Sequence, residues 1–104
     1  MKVHMSFEDM LANAVVETLE EILGNVATEA IIRMIAELNE SSAEAALRDP
    51  KALHIGLLGL FGAGGKIIET VILQKLGDSM DVEIDLEGDF LREIEKIMSS
   101  YQRL

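Results

Sequence analysis

From residue 52 to residue 65 this chain carries no charged side chain, and that stretch constrains its fold more than any other. Asp49 and Pro50 stand just ahead of it. Asp accepts hydrogen bonds from the free amides of a helix start, and Pro fits the first helical position, where its missing N–H is not needed. Leu53, Ile55, Leu57, Leu58, Leu60 and Phe61 then place apolar groups nearly all round the helix. A helix without a polar face is a buried one, so the pattern predicts a central, dry helix. Gly56 and Gly59 fall inside it, each costing about 1 kcal/mol relative to Ala. Close approach of another backbone would offset that cost. As a helix the 14 uncharged residues would span roughly 21 Å, against about 30 Å of bilayer hydrocarbon. No membrane is expected as a partner.

The 104 residues suffice for one domain with one core, so residues 1–104 are taken as a single helical domain. Net charge is −10, from 19 acidic and 9 basic side chains. Nucleic acid and anionic lipid draw their affinity from clustered Lys and Arg, so both are disfavoured, and any electrostatically steered partner would be basic. The absence of cysteine excludes disulfides, thiolate metal sites and thiol nucleophiles. The start, MKVHMSFED, lacks the apolar run of a secretion signal, and the expected location is cytoplasmic.

Along the chain, Ser6 is an N-cap, followed by Phe7, Met10, Leu11, Ala14, Val15, Leu19, Ile22 and Leu23 at helical spacing. Gly24 ends that helix. A second helix reaches about Leu38, with Val26, Ala30, Ile31, Met34, Ile35 and Leu38 expected inward. Ser41 and Glu44 have capping-box spacing and open a short helix through Leu47. After the apolar helix come Gly62, Ala63, Gly64 and Gly65 as a hinge, then a helix from Lys66 to Leu76 that Gly77 should stop. Residues 80–87 alternate apolar and acidic, the period of a strand. That strand could pair with residues 2–5, pair with its twin in a second copy, or serve only as an extended connector. The last helix opens near Asp85 and sets Phe90, Ile94, Ile97, Tyr101 and Leu104 at coiled-coil spacing. The fold class expected is all-α: a compact orthogonal bundle of about five helices around a central buried one, with one short strand before the last helix.

Motifs that suggest chemistry fall short on spacing. A phosphate loop needs four residues between its first glycine and the Gly-Lys pair, then a hydroxyl. Gly59 to Gly65-Lys66 has five, and Ile67 stands where the hydroxyl belongs. What survives is weaker: the amides of Gly64, Gly65 and Lys66, with Gly62 as the turn, could hold an anion at a helix start. The acidic run Glu83, Asp85, Glu87, Gly88, Asp89 imitates a calcium loop, but position twelve is Ile94 in place of a bidentate Glu. His4 and His54 are the only histidines, and no nucleophile stands at a diagnostic spacing from either. No catalytic residue, cofactor or metal is expected.

Leu57, Leu60-Phe61-Gly62, Gly64, Ile67-Ile68-Glu69 and Leu76-Gly77, following Pro50, resemble the signature of the Nitrosopumilus output domain, a small archaeal all-helical family. Leu23-Gly24 and Phe90-Leu91 are similar too, so the resemblance spans most of the chain, while Gln74-Lys75 departs from it. It implies an archaeal cytoplasmic domain with a regulatory or interaction role, and carries no catalytic residues. The function expected is a non-enzymatic, self-associating interaction or output module, a homodimer or the binder of a basic protein. Its contact surface is expected at Val82, Ile84, Phe90, Ile94, Ile97 and Tyr101. The alternative is a small-molecule sensor or carrier that holds an apolar or anionic ligand between the helices flanking residues 62–65, against Leu57, Phe61 and Ile68.

Overall fold

The computed structural model describes residues 5–102, and they form six helices: α1 (Phe7–Leu23), α2 (Asn25–Leu38), α3 (Ala43–Leu47), α4 (Pro50–Phe61), α5 (Ala63–Met80) and α6 (Phe90–Gln102). Each start has a local cause. The Ser6 hydroxyl accepts from the Asp9 amide at 3.1 Å, and Asp49 Oδ1 accepts from the Lys51 amide at 3.0 Å. The short helix is capped by Ser42, one residue later than the capping-box spacing implied, accepting from the Ala45 amide at 3.1 Å. Asn39 closes α2 and ties it to α4, its Nδ2 donating to the carbonyls of Ile35 and Ala52 at 2.8 and 3.1 Å.

The core gathers Leu11, Val15 and Leu19 from α1, Ile35 from α2, Leu53 and Leu57 from α4, Ile72 and Leu76 from α5, and Ile94 and Ile97 from α6. Helix α5 packs against α1, α4 and α6, which positions everything described below. Thr18 and Thr28 are buried without penalty, because each hydroxyl donates at 2.7 Å to a carbonyl one turn back, those of Ala14 and Gly24.

Helix α4 is buried on one side rather than all round. Ala52, Leu53, Gly56 and Leu57 face inward, while Ile55 is 55% exposed and Leu58, Leu60 and Phe61 are half-buried. The four-residue hinge contracts to one residue. Gly62 alone takes a left-handed φ of +56°, and α5 begins at once with Ala63. Gly65 therefore lies in the first turn of α5, so close to α4 that an added Cβ would stand 2.4 Å from the Leu57 carbonyl oxygen. The backbone approach expected at Gly56 and Gly59 is made at Gly65.

The expected strand does not form among the described residues. Helix α5 runs through Gly77 to Met80 and stops at Asp81, which adopts the left-handed conformation in glycine's place. The Val82 amide reaches back to the Gly77 carbonyl at 2.8 Å and the Asp81 amide to Asp78 at 3.4 Å, a Schellman closure. Gly77 serves packing: Ile84 lies where its Cβ would be. Residues 82–85 are an extended connector, with Val82 and Ile84 half-buried against the core and Glu83 and Asp85 outside. The alternation thus reports an inner and an outer side without a ladder partner. Helix α6 starts at Phe90, later than expected, because Asp89 caps it by accepting from the Arg92 amide at 3.1 Å.

The α4–α5 contact predicts a contrast between adjacent glycines. Gly65→Ala should destabilise by about 1–3 kcal/mol, since backbone must move to admit the methyl. Gly64, whose Cβ would meet only the Phe61 Cβ at 3.7 Å, should accept Ala neutrally or with a gain of up to about 1 kcal/mol. Urea unfolding midpoints of the two variants measure the difference, and equal midpoints would refute the close approach.

Candidate functional site

The residues expected to form an external contact surface are spent inside the chain. Phe90, Ile94 and Ile97 are buried in its own core. Tyr101 is half-buried, its ring tilted against Phe7 at 6.2 Å and its hydroxyl donating to the backbone carbonyl of Met5. Val82 and Ile84 pack from the connector. A 4-3-4 spacing identifies an apolar face but not its neighbour, and here the neighbours are α4 and α5. His4, Leu104 and most of the 2–5 segment fall outside the described residues.

The glycine turn is likewise committed. The Gly65 amide, which an anion would need, donates to the Gly62 carbonyl at 2.9 Å. Gly64 is half-buried in the first turn of α5, and Lys66 is exposed. Leu57 and Ile68, two of the three side chains expected to line a ligand cavity, are core residues, and the helices that carry them meet at backbone distance. That packing gives the carrier reading no support.

A different surface stands out. Val26, Ala30, Met34 and Leu38, expected inward, face out from α2 along one ridge, with Val26 86% and Leu38 54% exposed. The inward face of α2 is Thr28, Ile35 and Ala36, flanked by the half-buried Ile31 and Ile32. Apolar residues cover more than half of this helix, so its periodicity admits both orientations, and the depth of the Gly56 notch selects one. A Cβ on Gly56 would come within 2.8 Å of the Ile35 side chain. The ridge continues onto α4, where Leu38 reaches within 3.9 Å of the Cβ position of Gly59, and Ile55 lies one turn before that glycine. Beyond Lys51, His54 is the one titratable side chain on α4, and it faces Glu69. The signal that could have located this face is the charge-free run itself, whose helical part reads as core.

Two carboxylates are buried, and they are compensated differently. Glu93 accepts from the Asp85 amide at 3.0 Å and from Lys96 Nζ at 2.8 Å. These bonds, led by Lys96, hold its carboxyl below the usual range and fasten the connector to α6. Glu69, on α5, stands with Oε2 2.6 Å from Nδ1 of His54 on α4. Burial pushes its carboxyl up, His54 and Lys66 pull it partly back, and Asp89 adds to the rise. The His54 ring stacks on Phe90, centroids 6.0 Å apart and planes 9° from parallel. Among the described residues no three acidic or imidazole groups gather as metal ligands.

No protein-family model, curated protein or solved structure matches the chain. The resemblance noted in the sequence therefore rests on its residues alone.

The two buried carboxylates predict opposite pH slopes. Stability rises with pH wherever the unfolded chain binds more protons. Glu93, depressed below its unfolded 4.5, contributes stability that is lost as pH falls through its folded value. Glu69, raised above 4.5, contributes stability that is complete below 4.5 and lost as pH rises through its folded value. Glu93→Gln should therefore flatten the acid limb below 4.5. Glu69→Gln should make stability climb more steeply just above 4.5. Urea unfolding at half-unit pH steps reads both, and the same slope change in both variants would contradict the assignment.

Proposed function

We propose that this chain is a non-enzymatic interaction module that self-associates through the apolar face shared by α2 and α4. The observation that carries the proposal is the ridge Val26, Ala30, Met34, Leu38 continuing to Gly59 and Ile55, exposed on a molecule whose net charge is −10. Contiguous apolar surface on a soluble chain marks a contact site. Two copies this acidic repel one another wherever carboxylates face carboxylates. The α2–α4 ridge offers apolar burial with Glu29, Arg33 and Glu37 exposed beside it, and a two-fold contact would set ridge on ridge. Four residues at i, i+4 spacing give a strip about 18 Å long and two helices wide, less than the roughly 800 Å² per partner of a standard interface. Association is accordingly weak and concentration-dependent, as suits an output that reports local abundance. The archaeal, cytoplasmic and regulatory setting implied by the family resemblance belongs to this proposal.

Ionic strength separates a second copy from a basic partner. Self-association of an acidic chain strengthens with salt, which screens like-charge repulsion, whereas attraction to a basic partner weakens. Sedimentation equilibrium up to about 500 µM, at low and high salt, should show a monomer–dimer equilibrium that tightens with salt. Leu38→Glu or Ile55→Glu should weaken it at least about tenfold, while Gln74→Glu, the same charge placed on exposed α5 surface, should cost far less. A wild-type chain that stays monomeric throughout, or a dimer indifferent to Leu38→Glu, would overturn the proposal.

A further inference from the structure

His54 and Glu69 stand apart from every role assigned so far. The Glu69 side chain is 5% exposed, and among the described residues His54 is the side chain in hydrogen-bond contact with its carboxylate. A carboxylate in such a place needs a compensating cation or donor, and the quality of that compensation governs its cost. The nearby fixed charges do not supply it directly. Lys66, one turn earlier on α5, is exposed and acts on Glu69 through space, and Asp89, the cap of α6, acts against ionisation. On α4 itself Lys51, one turn before His54, is exposed. Compensation thus falls to a side chain whose charge changes within the physiological pH range.

The geometry favours the charged imidazole. Nδ1 lies at 2.6 Å from the carboxylate, at the short end of charge-assisted contacts. The Phe90 ring lies nearly parallel to the imidazole, centroids 6.0 Å apart, within reach of an attraction between its quadrupole and a cation. The imidazole is 28% exposed, so it exchanges protons with solvent while its partner stays dry. Three elements meet at this point: α4 through His54, α5 through Glu69 and α6 through Phe90.

We infer that His54 and Glu69 form a proton-operated clasp that fastens α4 to α5 and α6, tightening when the imidazole is protonated. Protonation of the imidazole rigidifies α4, and with it the outer face that α4 presents. This inference concerns the chain's own cohesion and holds whether or not that face binds anything.

A double-mutant cycle over pH tests it. Wild type, His54→Gln, Glu69→Gln and the double variant are unfolded in urea at pH 8, 7 and 6. The expected coupling factor between positions 54 and 69 is about tenfold larger at pH 6 than at pH 8. His54→Asn, which retains a donor near Nδ1 but does not titrate, should restore part of the coupling without its pH dependence. A coupling factor independent of pH would overturn the clasp and leave an ordinary hydrogen bond. Should any variant fold too poorly to measure, amide exchange in the wild-type chain decides instead. Slowed exchange of α4 amides (corrected for intrinsic rates) at pH 6 relative to pH 8 supports the clasp. Exchange protection that does not change with pH overturns it.

Discussion

The contact on which the rest of this structure depends is the meeting of α4 and α5 around one glycine turn. Gly62 reverses the chain in a single residue because it can adopt a positive φ, and Gly65 then lets the first turn of α5 settle onto the carbonyl of Leu57. Once those two helices are fixed, α5 packs against both α1 and α6, and α4 offers its Gly56 notch to Ile35 of α2. Loose packing here would displace every other helix, since α1 and α6 both rest on α5. Glycine supplies at this point what a side chain could not: backbone-to-backbone distance, which raises the number of atoms in van der Waals reach along the whole seam.

Much of the helical text was legible because its cues are local. The caps at Ser6 and Asp49 and the breaks at Gly24 and Gly62 depend on hydrogen bonds within a few residues, and they stand where the sequence placed them. Orientation was less legible because it is decided by neighbours. Helix α2 has apolar residues enough for two faces, and the choice between Met34–Leu38 and Ile35–Ala36 lies in the shape of α4, which no property of α2 encodes. The same holds for Phe90, Ile94 and Ile97: their spacing defines a face and leaves open what covers it. At residues 82–85 the period of two reports an inner and an outer side, but a strand also needs an edge to pair with. Asp81, tolerating the left-handed conformation, ended α5 three residues after the glycine that had looked like its stop.

Of the candidate site, the sequence offered the right segment for the wrong reason. The charge-free run of residues 52–65 reads as a helix apolar all round, and therefore interior, followed by a glycine hinge at residues 62–65. In the folded chain that run does two jobs at once. Its Leu53 and Leu57 side chains build the core, while Ile55 and Gly59 extend the ridge of α2 outward. Past Lys51, the one titratable side chain of α4 is His54, which faces Glu69. An isolated core requires only one dry side, so the second is the feature that packing of this chain alone leaves unexplained.

Charge and apolar surface are linked in this molecule more closely than composition implies. An excess of ten negative charges keeps copies apart at long range and low salt. In the proposed dimer, an apolar face draws copies together only at contact distance, after that repulsion has been overcome or screened. Opposing terms of this kind would give the proposed association a strength set by salt and concentration rather than by a large buried area. Under the proposed clasp, protonation of the imidazole would remove one unit of net negative charge while it secures the helix bearing Ile55. Acid and salt would then act on the proposed dimer in the same direction, the first by neutralising and stiffening and the second by screening.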